Sequence, residues 1–117
     1  MPIFSRGDVI KVPFPYTDRA TRQSRPALVV SSGGIEDAHG LLWVVMITSA
    51  ENRGWPGDVA VRNLTTAGLP VPSVIRTAKI ATIEASDAVK LGRVSPGVLD
   101  QVAKRLAHEL GVGISRT

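Results

Sequence analysis

Arginine and hydroxyl side chains at the ends of apolar runs are the chemistry-bearing groups of this 117-residue chain. Arg19, Arg22 and Arg25 follow one another closely, with Asp18 the one neighbouring acid. A guanidinium offers a planar fork of donors that fits phosphate, and it stays charged at any working pH. Arg25 stands where the polar run 15–24 gives way to the apolar Pro26-Ala27-Leu28-Val29-Val30. At such a junction a side chain is both held and exposed. Thr48 and Ser49 close a second apolar run, where hydroxyls can face a cleft, and Arg76 and Lys79 add cations to a later one. Each type also has a plainer use. Loop arginines are commonly solvated, and Thr-Ser after a strand commonly opens a turn.

Composition removes other site chemistries. There is no cysteine, which excludes disulfide frameworks, thiolate zinc sites and cysteine nucleophiles. The two histidines, His39 and His108, form neither a helical His pair nor a Cys/His cluster. His39 reads as part of a turn with Gly40, and His108 as a helix-surface residue. Gly33-Gly34 reads as a turn, and no Gly-Lys-Ser/Thr phosphate loop occurs. The ten carboxylates are scattered, without the close strand spacing of a two-metal nuclease. No metal and no cofactor are expected. The net charge is +4, with ten Arg against four Lys, a balance that suits nucleic acid or a solvated basic surface equally. The N-terminus carries no apolar signal-peptide core, and the longest apolar run, Leu41 to Ile47, is too short for a bilayer. A cytoplasmic protein with no membrane contact is expected.

A small fold must position these groups. With 44% hydrophobic and 21% charged residues, the chain suits one globular domain over residues 1–117, without repeat or linker. Eleven Gly and eight Pro favour short strands joined by turns. The pattern predicts five strands: Asp8–Phe14, Pro26–Ser32, Leu41–Ile47 running into Thr48-Ser49, Asp58–Arg62 and Val74–Ile83. In the last of these, Ile75, Thr77 and Lys79 alternate with Val74, Arg76, Ala78 and Ile80. Residues 15–24 read as a loop. One helix follows. Ser95 suits its N-cap, Pro96 its first position and Gly111 its stop, while Leu99, Val102, Ala103, Leu106 and Leu110 make one apolar stripe. The implied class is mainly β with a C-terminal helix, built as a strongly bent antiparallel sheet or partly open barrel.

Four segments taken in order resemble the MazF/PemK family of toxin–antitoxin ribonucleases. They are Arg6-Gly7-Asp8-Val9-Ile10, Arg25-Pro26-Ala27-Leu28-Val29-Val30-Ser31, Ile47-Thr48-Ser49, and Pro72-Ser73-Val74-Ile75 through Ile80-Ala81-Thr82-Ile83. The likeness covers nearly the whole chain. It implies an SH3-like small barrel, a homodimer, and single-stranded RNA bound along a groove shared by both subunits. It also implies metal-independent, sequence-specific cleavage to a 2′,3′-cyclic phosphate and a 5′-hydroxyl. An acidic antitoxin would cover that groove, and DNA would be met only through the toxin–antitoxin complex.

Carried over residue by residue, the resemblance makes Arg25 and Thr48 catalytic and sets Tyr16, Arg22, Ser49, Ser73, Arg76 and Lys79 against RNA, with Tyr16 stacking on a base. Two positions depart from the family pattern. Ala78 stands where members often carry an acid, and Tyr16 and Thr17 stand where plasmid-type members use a loop histidine. The loops 15–24 and 50–57 would set the cleaved motif. A different function on the same barrel is the alternative: gripping and poisoning a protein such as DNA gyrase. A DNA-binding autoregulator would need a helix-turn-helix or zinc pattern, and neither occurs.

Overall fold

Val9, Leu28, Val45, Ile47 and Ile75 alternate along the chain with Ile10, Ala27, Val29 and Val44, so strands built from them carry apolar side chains on both faces. Such a sheet must be covered twice. The computed structural model, which describes residues 3–13, 24–52 and 54–112, does so by curling the sheet. Its elements are β1 (Asp8–Pro13), β2 (Ser24–Val29), α1 (Gly33–His39), β3 (Leu41–Ser49), β4 (Val59–Ala60), α2 (Leu64–Ala67), β5 (Ser73–Glu84), β6 (Val89–Arg93) and α3 (Pro96–Leu110). The strands run antiparallel in the order β4-β5-β3-β2-β1-β6 and form a small, partly open barrel of SH3-like kind. One core gathers Val9, Leu28, Val45, Ile47 and Ile75 under Val98 and Val102 of α3. The other gathers Phe4, Ile10, Val12, Ala27, Val29, Leu42, Val44 and Ile83 inside the curl.

β3 is the centre of this arrangement. It pairs with β2 through Ala27↔Met46, Leu28↔Val45 and Val29↔Val44, and with β5 along its whole length. The β3–β5 register is broken once: Val45 faces Ile80, whereas Met46 faces Arg76. Residues 77–79 of β5 therefore have no partner in β3, and a bulge of this kind bends the strand. The simple alternation expected for Val74–Ile83 ends there.

Two buried carboxylates tie the barrel's opening together. Asp8 is 1% exposed and accepts from Arg93 Nη1 at 2.6 Å and from the Ser5 amide at 2.9 Å, joining β1 to β6. Glu36 of α1 accepts from the amides of Ile3 and Phe4, both at 2.9 Å. Both groups hold the chain in place.

α3 starts where its caps predict. The Ser95 hydroxyl accepts from the Val98 amide, Pro96 opens the first turn, and Gly111 ends it in the left-handed region at φ 73°. The apolar stripe is only half used, however. Of its residues Val102 is buried, Leu99, Ala103 and Leu106 are partly buried, and Leu110 is 76% exposed, while Val98, outside the expected stripe, is buried.

Other elements differ from the sequence reading. Gly33-Gly34 opens α1 instead of making a turn, and His39 is the last residue of that helix, with Gly40 as its left-handed cap. β2 starts at Ser24 and ends at Val29, two and three residues before the expected bounds, and β4 is only two residues long. β6 is a sixth strand, and α2 a further short helix. Phe14 and most of the expected loop 15–24 lie outside the described residues. No helix among the described residues is long and apolar enough to cross a membrane.

α2 and β6 meet at a glycine. A Cβ on Gly92 would run into the backbone of Thr66 and Ala67, which no side-chain rotation can relieve. Gly92→Ala should cost about 1–3 kcal/mol of stability by this overpacking, seen as a lower Tm in thermal unfolding by circular dichroism. An unchanged Tm would contradict the close approach.

Candidate functional site

Arg25 is the second residue of β2 and is half-buried. Across β1 it faces Val12, so it shares a sheet face with the Ile10–Ala27 pair and the inner core. On the other side, the β2–β3 ladder ends at Ala27↔Met46. Carrying that register two residues further sets Arg25 opposite Thr48 on the same face. Extended in this way, the register sets the strand start that carries the guanidinium level with the strand end that carries the hydroxyl, at one mouth of the barrel.

Ser49 separates Thr48 from a 3-10 turn, Ala50–Asn52, and that turn reaches back to Thr48. Asn52 Nδ2 donates to Thr48 Oγ1 at 3.0 Å. Ser49 points its register to the opposite face, where it pairs with Ser73. The Ser49 hydroxyl accepts from the Glu51 amide at 3.2 Å, and Ser73 Oγ donates to the Val71 carbonyl at 2.8 Å. Ser73 is buried. Both serines therefore shape the turns at this one end of the strand pair, after β3 and before β5.

Arg76 faces Met46, which returns it to the face of Thr48. Its guanidinium is buried and engaged on three sides. Nε and Nη2 donate to the two carboxylate oxygens of Asp58 at 3.2 and 2.9 Å, and Nη2 donates to the Asn52 carbonyl at 2.6 Å. The Trp55 ring stacks against it, 4.3 Å from centroid to Cζ. Arg76, expected among the RNA contacts, here holds Asn52 and Asp58 against β5. Lys79, in the bulge, lies with Nζ 5.3 Å from the same indole centroid. One tryptophan thus carries two cations.

Residues 55–58 are tied down further at Gly57. Its φ is +89°, and a Cβ there would meet Thr77 Oγ1 and the Arg105 guanidinium. Thr77 Oγ1 also donates to the Gly57 carbonyl at 3.0 Å.

Tyr16 and Arg22 lie outside the described residues. Ala78 lies in the bulge and lines a groove of about 700 Å³ between the sheet and α3, together with Trp43, Ile80, Leu106 and Leu110. An apolar residue suits that wall. Neither Arg25 nor Thr48 lines this groove, so the apolar cleft and the polar mouth are separate surfaces. Among the described residues, no three His, Asp or Glu side chains converge as a metal site would require.

The sequence reading missed Asn52, Trp55 and Asp58. Asp58 did carry a signal: it is the single acid between Glu51 and Glu84, a stretch that also holds Arg53, Arg62, Arg76 and Lys79. A lone carboxylate among cations is a natural ion-pair partner.

The family model described as PemK-like, MazF-like toxin of type II toxin–antitoxin system matches residues 5–110. Solved structures share the fold. A MazE–MazF complex from Deinococcus radiodurans (form III) is 25% identical, with TM-score 0.78 over 95% of this chain and 99% of that one. An endoribonuclease in complex with its cognate antitoxin from a mycobacterial species is 22% identical, with TM-score 0.74 over 98% and 100%. The Mycobacterium tuberculosis toxin MazF-mt6 is 18% identical, with TM-score 0.72 over 92% and 99%. No curated protein sequence matches significantly.

The Asp58–Arg76 pair has side chains only 9% and 8% exposed. Asp58→Ala leaves a buried cation without its carboxylate and should cost about 3–5 kcal/mol. The double variant Asp58→Leu with Arg76→Met should recover much of that loss in urea unfolding. Equal losses in the two variants would contradict a desolvated pair.

Proposed function

The chain belongs to the PemK-like, MazF-like toxins of type II toxin–antitoxin systems, and from that premise we propose that it is a metal-independent, sequence-specific endoribonuclease acting on single-stranded RNA. What supports this reading is that Arg25, paired with Val12, lies on the sheet face of Ala27, that Thr48 lies on the face of Met46, and that the Ala27↔Met46 register carried two residues further sets the two opposite each other. Transfer begins when a ribose 2′-oxygen attacks the adjacent phosphorus. The 2′-O–P bond forms, the P–O5′ bond breaks, and the products are a 2′,3′-cyclic phosphate and a 5′-hydroxyl. The 2′-hydroxyl loses its proton, and the departing 5′-oxygen gains one.

Charge builds on the non-bridging oxygens as the phosphorus becomes five-coordinate. A fixed donor aimed at those oxygens lowers the barrier, because it stabilises the crowded phosphorane more than the substrate. Arg25 supplies such donors as a planar fork. Thr48 supplies a shorter, neutral donor from the adjoining strand. By the resemblance, Tyr16, Arg22 and Lys79 are proposed to contact RNA, whereas Ser49 and Ser73, whose hydroxyls are committed to their turns, serve the site by shaping it, and Arg76 acts through Asn52 and Asp58.

The partners follow the same reading. Single-stranded mRNA in the cytoplasm is the substrate, an acidic antitoxin blocks the RNA surface, and DNA is met only through the toxin–antitoxin complex. The protein acts as a homodimer. Exposed Trp43, Ile80, Leu110 and Val112 at the α3 groove support an interface with a second copy. In sedimentation, Leu110→Asp should convert a dimer to monomer; a monomeric wild-type protein would overturn the dimer.

Primer extension on a long RNA treated with purified protein in EDTA tests the activity. Cleavage at discrete sites that survives EDTA is expected, and Arg25→Ala or Thr48→Ala should each slow it by about 100- to 1,000-fold. Cleavage that appears only with Mg²⁺ overturns the metal-independent reading. Inhibition of a topoisomerase without any RNA cleavage would replace it with the protein-poisoning alternative.

A further inference from the structure

We propose that Asn52 is a positioning residue for Thr48, anchored by the buried Arg76, and that it sets the direction in which the Thr48 hydroxyl donates. This rests on the endoribonuclease reading and adds a residue to its site.

A threonine hydroxyl at a strand end rotates freely, and its single hydrogen can point to any nearby acceptor. Here its partner removes that freedom. The Asn52 side-chain nitrogen has only hydrogens to offer, so at 3.0 Å Thr48 Oγ1 must be the acceptor. With one lone pair occupied from the side of the 3-10 turn, the hydroxyl hydrogen is directed away from Asn52. The same face holds Arg25 by register. A phosphate oxygen entering between them would meet a donor from each strand.

Asn52 itself is exposed and belongs to a three-residue turn, which has little rigidity of its own. Its rigidity comes from below. Arg76 Nη2 binds its main-chain carbonyl at 2.6 Å, and that guanidinium is fixed by both oxygens of Asp58 and by the Trp55 ring. Asp58 is itself locked in a tight turn, its amide donating to the Trp55 carbonyl at 3.1 Å while its carboxylate accepts from the Trp55 amide at 3.3 Å. A buried ion pair 18 residues apart in sequence thus determines where a surface amide sits. Substrate is touched by Thr48; Asn52 and Arg76 act through it.

The plainer role for Asn52 is to close the turn after β3. The two roles differ in a measurable way. A turn-closing residue changes stability and acts independently of the Thr48 hydroxyl, whereas a positioning residue has no function once that hydroxyl is gone.

Steady-state cleavage of an RNA oligonucleotide spanning a mapped cut site should be measured in EDTA for wild type, Asn52→Ala, Thr48→Ala, the double variant and Arg76→Lys, which keeps a cation against Asp58. Asn52→Ala should lower kcat about tenfold with KM within about twofold, the worth of one oriented hydrogen bond. In the Thr48→Ala background the same change should do nothing. Arg76→Lys, which loses the fork reaching both Asp58 and Asn52, should lower kcat in the same way. Wild-type activity with kcat unchanged in Asn52→Ala, or lowered by the same factor with and without Thr48, overturns the positioning role while leaving the nuclease reading intact. Unchanged kcat in Arg76→Lys overturns the anchoring by Arg76. A wild-type protein that cleaves no RNA overturns the nuclease reading and this proposal with it.

Discussion

β3 has a fixed register against β2 on one side and β5 on the other, and the candidate site exists only in that register. The β2 ladder, carried two residues past Ala27↔Met46, sets Arg25 level with Thr48, and the β5 ladder returns Arg76 to the same face. Side chains alternate along a strand, so a slip of one residue would turn Thr48 into the α3 core and Ile47 out to the mouth. The cores prevent that slip. Ile47 is 1% exposed beneath α3, and Val44 and Leu42 are equally enclosed on the inner side. Apolar burial on both faces thus specifies where two polar side chains meet.

Polar and apolar functions are kept apart by the bend in β5. Residues before the bulge hold the mouth: Ser73 shapes the strand end, and Arg76 fastens Asn52 and Asp58. Residues within and after it, Thr77, Ala78 and Ile80, turn to the groove against α3, where Leu106 and Leu110 are the opposing wall. Trp55 lies at the boundary, stacked on Arg76 and lining the groove at once. A ligand at the groove and a nucleic acid at the mouth would therefore bear on the same tryptophan. The deeply placed carboxylates are committed to fold: Asp8 joins β1 to β6, Glu36 holds the N-terminal amides, and Asp58 pairs with Arg76.

Much of this was legible in the residues. An apolar run that begins after Arg25 and another that ends at Thr48-Ser49 marked β2 and β3, and the caps Ser95 and Gly111 marked α3 to within a residue. The elements that escaped notice lack such patterning. α1 begins with two glycines, α2 has four residues, and β6 reads Val-Lys-Leu-Gly-Arg, an edge strand with no buried residue to set a period. The environment of Arg76 was also hidden, for a different reason. Its partners lie 18 and 24 residues away, and Asp58 is brought to it by the short β4–β5 pairing, Val59 opposite Ile75, which local alternation does not encode. On the page of the sequence Arg76 is one more cation on a strand. In the fold it is the floor of the loop that reaches Thr48.

The pairing of Arg25 with Thr48 is tested most directly by a crystal structure of the protein bound to an RNA oligonucleotide with a 2′-deoxy residue at the cut site, which binds but lacks the attacking hydroxyl. The facing register predicts the scissile phosphate at the barrel mouth, with its non-bridging oxygens about 3 Å from both the Arg25 guanidinium and Thr48 Oγ1. A phosphate seated elsewhere, with Arg25 turned away and Thr48 touching only Asn52, would contradict it.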